Sequence, residues 1–126
     1  MEPLVSVVMP VRNGGKWLQA AVDSILAQSH ASLELIVVDD HSEDGALARL
    51  DRTDPRLCLH RTRGQGVSAA FNTGMDLARG DFIARMDADD LALPNRIRDQ
   101  LDYLGRHTGV DLCGGKVELF SAAGLA

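Results

Sequence analysis

The feature that most constrains the fold is a run at positions 33–38, in which Glu34 alone interrupts five apolar residues. A strand this apolar is covered on both faces, which is typical of a parallel sheet flanked by helices. Similar runs alternate with the three-and-four spacing of apolar residues that indicates helices. The strand-like runs lie at 5–9, 33–38, 57–60, 82–86 and 116–120, and the helical periods at 17–26, 46–50, 67–78 and 94–104. This alternation predicts an α/β fold with a mainly parallel sheet, in which the first strand is central and Pro94 starts the last helix.

Length and charge restrict the class of protein. At 126 residues, the chain is one domain with enough buried surface for a core. Its formal net charge of −5 argues against nucleic acid as a partner, since phosphate contacts require a basic face. An acidic chain that binds a phosphorylated ligand needs a metal ion to bridge the like charges. Cys58 and Cys113 lie in apolar runs and are expected to be buried, reduced thiols.

Acidic residues follow two of the predicted strands, and ligands bind beyond the carboxyl ends of strands in an open parallel sheet. Asp87 and Asp89 come after the strand at 82–86, and in an extended segment their side chains point the same way. Carboxylates are the ligands that Mg²⁺ and Mn²⁺ prefer. The pattern therefore indicates a metal site, and the alternative is a solvated acidic turn in which Asp90 caps a helix.

A second acidic pair, Asp39-Asp40, follows the most apolar strand. We expect one of the two to accept a hydrogen bond from a base or a ribose, while the other, or Ser42, caps the short helix that follows. Asn13 is expected to close the turn after the first strand and to cap the first helix. The histidines show no metal spacing and are interpreted as surface or turn residues; they are His30, His41, His60 and His107.

Four segments, in this order and at these separations, resemble the family 2 glycosyltransferases. They are VSVVMPVRN at 5–13, LIVVDDHS at 35–42, GVSAAFNTG at 66–74 and DFIARMDADD at 81–90. The resemblance also includes SILAQS at 24–29 and Pro94-x-Arg96, and it extends to about Leu104. It implies a GT-A fold, a Rossmann-like, mainly parallel sheet flanked by helices. Residues 1–126 would be the N-terminal nucleotide-diphospho-sugar-binding portion of a longer, inverting enzyme.

The resemblance also implies a role for each matching residue. The base pocket would be lined, partly through backbone groups, by Pro10, Val11 and Arg12. Asp40 would accept a hydrogen bond from uracil or another base, Asp87 would lie near the ribose, and Asp89 would hold Mn²⁺ or Mg²⁺ on the diphosphate. The donor would be a nucleoside-diphosphate sugar, with a UDP-sugar as first choice, and the acceptor an unidentified glycan, lipid or other hydroxyl, as in polysaccharide biosynthesis.

One position departs from the family pattern. Members often carry Ala-Arg-Asn where this chain has Ala70-Phe71-Asn72. If that arginine helps to bind the donor, then Arg61 or Arg63 substitutes for it here, or the choice of donor differs.

Two other functions compete with this interpretation. The segment Gly64-x-Gly66-x-x-Ala69 fits the dinucleotide-binding fingerprint, with Asp87 about twenty residues further on, which would make the chain part of an oxidoreductase. A phospho-acceptor receiver has a similar length and alternation. However, receivers place their acidic pair after the first strand, and here the pair follows the second.

The sequence does not reveal a catalytic base. In the family, the base lies in an acidic motif beyond the resemblance, which ends near Gly105. The acids that remain after Asp90 are Asp99, Asp102, Asp111 and Glu118. We therefore expect a domain fragment that binds donor with little or no sugar transfer, and an edge strand near Glu118 that is exposed or self-paired. We expect it to be cytoplasmic, with any attachment to the inner face of the membrane made by other parts of the parent chain.

Overall fold

The computed structural model describes residues 2–118 and the backbone at 120–121 and 124–125. Its strands are β1 (Val5–Val11), β2 (Leu33–Asp39), β3 (Leu57–Arg61), β4 (Phe82–Arg85), β5 (Phe120–Ser121) and β6 (Gly124–Leu125). Its helices are α1 (Leu18–Leu26), α2 (Val67–Leu77) and α3 (Arg96–Arg106), with short 3-10 turns at Gly15–Trp17 and Leu47–Arg49. No helix in the described part of the chain is long and apolar enough to cross a bilayer.

The first four strands form one parallel sheet in the order β3-β2-β1-β4. The chain crosses from β1 to β2 on one side, and later returns to pair β4 with the other side of β1. Val8, for example, lies opposite Ile36 of β2 and Arg85 of β4. The predicted parallel sheet with the first strand inside it is therefore confirmed.

The core lies on both faces of β1 and β2. All seven residues of β1 and six of the seven in β2 are buried, as the apolar run predicted. On one face, α1 packs its apolar stripe against them, with Leu18 and Ile25 fully buried. On the other face, Ala70 of α2 packs against Ile36 and Val38. Helices therefore cover both faces, and this leaves the ends of the strands for function.

A glycine allows α2 to lie close to the sheet. A Cβ atom at Gly74 would overlap the side chain of Val8 and would also come within 3.2 Å of Val38. Glycine in a helix interior costs about 1 kcal/mol relative to alanine. The close contact between α2 and β1 explains why glycine occupies this position.

The polar residue that interrupts the apolar run is fully hydrogen-bonded. Glu34 is 4% exposed, and its Oε2 accepts hydrogen bonds from Ser6 Oγ (2.6 Å) and from the Arg79 backbone N–H (2.7 Å). Arg79 Nε also donates to Oε1 at 3.2 Å, and the Gly80 N–H donates to Ser6 Oγ at 2.8 Å. Burial alone raises the pKa of Glu34, but the hydrogen bonds from Ser6 and Arg79 outweigh it and leave the pKa below its usual value.

We expect this network to make stability depend on acid. A carboxylate whose pKa is lowered in the folded state stabilises it above the unfolded pKa, near 4.3, and that contribution disappears as the pH falls through the folded pKa. Glu34→Gln should therefore lower the free energy of unfolding by about 1–3 kcal/mol at pH 7, with a gap that narrows toward pH 3. Urea unfolding across this range measures the gap. Glu43→Gln, which removes an exposed carboxylate, should change the free energy of unfolding little. If the difference between Glu34→Gln and the parent stays constant with pH, Glu34 is not the source of the acid dependence.

Two expectations about local structure are wrong. Pro94 precedes α3 and does not start it, because the Arg96 N–H donates to the Leu93 carbonyl (3.1 Å) and closes a turn that contains Pro94 and Asn95. The expected strand at 116–120 is absent at 116–118, where no paired strand supplies a hydrogen-bond ladder among the described residues. A short strand, β5, starts only at 120 and pairs with β6, while Leu119 lies outside the described residues.

The two cysteines are free thiols, as expected, but they are half-buried and not fully buried. Cys58 lies in β3, which forms an edge of the parallel sheet. An edge strand has a neighbour on one side only, so its side chains are less covered than those of β1 and β2.

Candidate functional site

The carboxyl ends of β1, β2 and β4 lie side by side at the same end of the sheet, because these strands are parallel neighbours. Arg12 follows β1, Asp40 follows β2, and Asp87 lies just beyond β4. The Asp40 N–H donates to the Val11 carbonyl at 2.8 Å, which holds the loop after β2 beside the end of β1. The residues that the sequence predicts for the base, the ribose and the metal therefore share this end of the sheet.

The three residues predicted for the base pocket differ in what they can offer. Pro10 and Val11 are buried within β1, opposite Val38 and Asp39 of β2. Their side chains belong to the core, so any contact with a ligand would come from their backbone. Arg12 is exposed, and the positive charge of its guanidinium helps to lower the pKa of Asp40, which follows β2.

Asp40 is a buried carboxylate, with 4% of its surface exposed. Its Oδ1 lies 3.1 Å from His41 Nδ1, and the Gly66 N–H donates to both oxygens, at 3.2 Å and 3.1 Å. The hydrogen bond with His41 is the main reason why the pKa of Asp40 lies below its usual value; burial opposes it, and Gly66 and Arg12 add to it. At neutral pH the side chain is an ionised acceptor, and Oδ2, with fewer contacts than Oδ1, keeps the larger capacity for another donor.

Crossing hydrogen bonds join the loops that follow β1 and β2. The Asn13 N–H donates to Ser42 Oγ (2.9 Å), and the Glu43 N–H donates to Asn13 Oδ1 (2.7 Å). The Gly15 N–H donates to Asp44 Oδ2 at 2.8 Å. Asn13 has the left-handed φ of 53° that a turn requires, so it closes the turn as predicted. The expectation that it caps the first helix is wrong, because its side chain bonds across to the other loop.

Asp39 has a local role. Its Oδ1 accepts a hydrogen bond from the Ser42 N–H at 2.9 Å, which closes the turn after β2. Neither residue caps the short helical turn that follows, contrary to expectation. Asp44 lies nearer to that turn, and its Oδ1 accepts from the Ala46 N–H at 3.1 Å. The acidic pair therefore consists of one residue that closes a local turn and one buried carboxylate, and the contact of Asp40 with a base stays a prediction.

Three exposed carboxylates form an acidic cluster beyond β4. One oxygen from each of Asp87, Asp89 and Asp90 lies within 4.8 Å of the others. The Asp90 N–H donates to the Asp87 carbonyl at 3.2 Å, and this turn brings the side chains together. Burial and then the charges of Asp87 and Asp89 raise the pKa of Asp90. Three carboxylates around one point are a donor set that suits a hard divalent cation.

Asp90 is a member of this cluster that the sequence interpretation missed. The alternative in which Asp90 caps a helix is wrong, because α3 begins only at Arg96 and has no side-chain cap. Its position directly after Asp89 was a usable signal. Asp87, predicted for the ribose, lies in the same group as Asp89, so both functions would be served from one turn.

An arginine lies against the residue that departs from the family pattern. The guanidinium of Arg85 lies 5.5 Å from the centre of the Phe71 ring, a cation–π contact, and 3.5 Å from Asp87 Oδ1. Arg63, one of the two candidate substitutes, pairs instead with Asp76 at 3.4 Å. The structure therefore brings Arg85 to position 71, next to the acidic cluster.

His30 and His107 contact groups that belong to the fold, whereas His41 contacts the candidate site. His30 is buried, so its interpretation as a surface or turn residue is wrong, and its Nε2 lies 2.9 Å from the Pro3 carbonyl. The exposed His107 stacks its ring on Tyr103, with the ring centres 4.1 Å apart. His41 lies in a turn, as predicted, but its ring also contacts the buried carboxylate of the candidate site. The sequence interpretation missed that contact.

A groove of about 670 Å³ lies elsewhere, at the amino ends of β1 and β4. Pro3, Phe82 and Leu101 contribute to its apolar walls. It lies at the end of the sheet opposite to the acidic cluster. Since ligands of open parallel sheets bind at the carboxyl ends of the strands, we place the candidate site there.

Comparison with known proteins decides which family this geometry represents. The model of the family Glycosyl transferase family 2 matches residues 6–121. The chain belongs to glycosyltransferase family 2. The matched range contains β1 from Ser6 onward, the whole of β2 to β4, the buried carboxylate and the acidic cluster.

Curated relatives of this family-2 chain are glycosyltransferases from bacteria. It is 33% identical over 115 residues to an uncharacterized glycosyltransferase of Rickettsia typhi, which covers 89% of this chain and 36% of that protein. It is 33% identical over 128 residues to the putative glycosyltransferase EpsE of Bacillus subtilis, which covers 98% of this chain and 46% of that protein. The chain thus spans about a third to a half of the length of these relatives.

Solved structures show the same GT-A fold. TarS of S. aureus, residues 1–349 in complex with UDP, matches with a TM-score of 0.73 and 24% identity, over 82% of this chain and 32% of that chain. The mannosyltransferase PcManGT of Pyrobaculum calidifontis, in complex with GDP-Man and Mn²⁺, matches with a TM-score of 0.73 and 30% identity, over 82% and 33%. The predicted fold class is therefore confirmed.

The oxidoreductase alternative receives no support from these comparisons, and its fingerprint is poorly placed. The segment that begins at Gly64 follows β3, an edge strand. The Gly66 N–H, which would have to face a pyrophosphate, donates to the Asp40 carboxylate. An ionised carboxylate in that position would repel a phosphate. Membership of family 2 also leaves no reason to retain the phospho-acceptor receiver.

Proposed function

We propose that this chain is the donor-binding domain of an inverting glycosyltransferase that uses UDP-sugar and Mn²⁺ or Mg²⁺. The observation that supports the proposal is that a buried carboxylate and a cluster of exposed carboxylates lie at the same end of the sheet. Asp40 is a buried, ionised carboxylate, while Asp87, Asp89 and Asp90 form an exposed acidic cluster. A nucleoside diphosphate has a matching group for each, a base N–H for the first and a diphosphate with its cation for the second.

The acidic cluster fits a divalent cation through the chemistry of its donor atoms. Without a cation, three carboxylates would repel a diphosphate, so donor binding here requires a metal. We assign Asp89 as a ligand and Asp87 to the ribose and the edge of the metal site, with Asp90 in the same group. The metal, when bound, would offset the charge on the departing diphosphate. The 30% identical PcManGT, solved with GDP-Man and Mn²⁺, supports this assignment.

The contacts of Asp40 favour uracil. The imide N–H of uracil is a single donor, which one free acceptor position satisfies. Guanine presents two neighbouring N–H donors that together suit both oxygens of a carboxylate, but Asp40 Oδ1 already contacts His41 and Gly66. Cytosine presents a lone pair at the same ring position, which an ionised carboxylate would repel. We therefore propose UDP ahead of GDP and CDP.

The catalytic base is proposed to lie outside these residues. Attack by an acceptor hydroxyl on the face opposite the departing diphosphate inverts the sugar, and it needs a nearby base. Asp102 and Asp111 line the groove at the opposite end of the sheet, and Asp99 is exposed on α3. Glu118 is exposed and lies outside any strand. The acceptor, a glycan, lipid or other hydroxyl, would be bound largely by other parts of a longer protein.

Thermal melting and an assay of UDP release test the proposal together. UDP with Mn²⁺ at a hundred times its dissociation constant should add about 2.7 kcal/mol to stability, a shift on the order of 10 °C, with smaller shifts for GDP and CDP. UDP-sugars with Mn²⁺ and a panel of acceptors should release no more UDP than a blank without protein. The absence of a shift with every nucleoside diphosphate would refute donor binding. Turnover that depends on an acceptor would show that the base is present, with Glu118 the first residue to substitute.

A further inference from the structure

The residue after Asp40 has a backbone conformation that is uncommon for residues other than glycine. His41 has a φ of +60°, in the left-handed region that glycine adopts freely and other residues adopt at an energetic cost. Glycine at this position would follow the same turn without that cost. Strain of this kind persists where the surroundings enforce it, and it is found disproportionately at functional sites. The side chain of His41 should therefore supply something that glycine cannot.

What it supplies is a contact with the buried carboxylate. His41 Nδ1 lies 3.1 Å from Asp40 Oδ1, although the imidazole itself is 53% exposed. This contact is the largest of the influences that lower the pKa of Asp40. The other partner of Oδ1 is the Gly66 N–H, which it shares with Oδ2.

We propose that His41 is a positioning residue for the donor nucleotide, which fixes the Asp40 carboxylate so that Oδ2 is presented to the base. The inference rests on the proposed function, since it takes Asp40 to be the acceptor for the base. With one oxygen held by the imidazole, rotation of the carboxylate about its Cβ–Cγ bond is restrained. A ligand N–H then meets one oriented acceptor, and binding does not have to immobilise the side chain.

A purely structural role would have different consequences. If His41 served only to stabilise the turn, its loss would weaken the fold and leave the affinity of the folded protein unchanged. If it positions Asp40, its replacement by glycine should lower affinity while the fold is retained, because the relief of backbone strain offsets the loss of the hydrogen bond to Asp40. The inference is therefore testable with the whole chain.

The test compares His41→Gly with His41→Asn. Asparagine tolerates the left-handed region, and its side-chain N–H₂ lies the same number of bonds from the backbone as His Nδ1, so it can still donate to Asp40. We expect His41→Gly to melt close to the parent temperature, because relief of strain offsets the lost hydrogen bond, and to bind UDP–Mn²⁺ about tenfold more weakly, as the loss of one hydrogen bond implies. His41→Asn should bind within about threefold of the parent. Pyrophosphate with Mn²⁺, which has no base, should bind all three proteins equally.

A second measurement follows the carboxylate without any ligand. In a carbon-13 NMR titration, the Asp40 carboxyl should titrate at a higher pH in His41→Gly than in the parent or in His41→Asn. If His41→Gly binds UDP as tightly as the parent, or if pyrophosphate binding falls by the same factor, the inference is wrong while the proposed function stands. If the parent itself shows no affinity for UDP, the proposed function fails and this inference fails with it.

Discussion

Asp89→Asn should abolish the part of UDP binding that depends on Mn²⁺. The substitution keeps the size of the side chain but removes one of three carboxylates that surround a single point. Loss of a residue that merely supports a metal ligand already weakens metal binding 10–100-fold, so loss of a proposed ligand should cost at least about a hundredfold. Isothermal titration of UDP with and without Mn²⁺ measures this difference.

The same variant should not lose stability in the absence of metal. Asp87 and Asp89 both raise the pKa of Asp90, so their charges repel it, and removal of one charge relieves that repulsion. We therefore expect Asp89→Asn to melt at or slightly above the parent temperature without Mn²⁺, and to lose the shift that UDP–Mn²⁺ produces. Asp99→Asn removes the same charge at an exposed site on α3 and is the matched control. If Asp89→Asn binds UDP–Mn²⁺ as well as the control, the metal assignment is wrong.

The strands of this fold could be predicted because burial on two faces leaves a direct mark on the sequence. The apolar run at 33–38 becomes β2 with one residue added, and the run at 5–9 becomes β1 with Pro10 and Val11 added. The extension through proline has a structural reason. The Val8 carbonyl accepts a hydrogen bond from the Met86 N–H, just after β4. The backbone nitrogen of Pro10, two residues further along β1, points to the same side, where β4 has already ended. An N–H at position 10 would have no strand to bond to, so proline is tolerated. This follows only from the register of β1 with β4.

The acids of the site could be predicted from their position after strands, whereas their partners could not. The contact of Asp40 with the Gly66 N–H joins residues 26 positions apart. The contact of His41 with Asp40 depends on a left-handed turn, and no spacing rule indicates it. The structure also brings Arg85 onto Phe71 because β4 follows α2 and lies beside β1, a consequence of strand order and not of local sequence.

The hydrogen bonds of the buried Glu34 carboxylate could not be predicted from the sequence either. The sequence marks Glu34 only as an interruption of an apolar run. Its partners, Ser6 in β1 and Arg79 after α2, are brought to it by the pairing of β1 with β2 and by the path of the chain into β4. A buried charge of this kind is tolerated because every acceptor is satisfied, and that condition is visible only in three dimensions.

Asp40→Asn should reverse the preference between uracil and cytosine. With its oxygen in the place of Oδ1, beside His41, the amide can still accept from the Gly66 N–H, so the fold should be retained and the amide nitrogen should take the place of Oδ2. The amide N–H₂ would then meet the imide N–H of uracil, donor against donor, whereas it could donate to the ring lone pair that cytosine presents at this position. A hydrogen bond to a charged group contributes about 1.5–3 kcal/mol, so UDP should bind roughly 10–150-fold more weakly, while CDP should bind as well as before or better.

Asp39→Asn is the matched control, one residue away and with the same change of charge. Asp39 uses a single oxygen to accept from the Ser42 N–H, a bond that an amide oxygen can keep, so UDP and CDP should bind this variant as they bind the parent. Competition between the two nucleotides, measured in the presence of Mn²⁺, gives the ratio of their affinities directly. If Asp40→Asn leaves that ratio unchanged, the buried carboxylate does not read the base, even if overall affinity falls. If Asp39→Asn changes the ratio instead, the roles of the two acids must be exchanged.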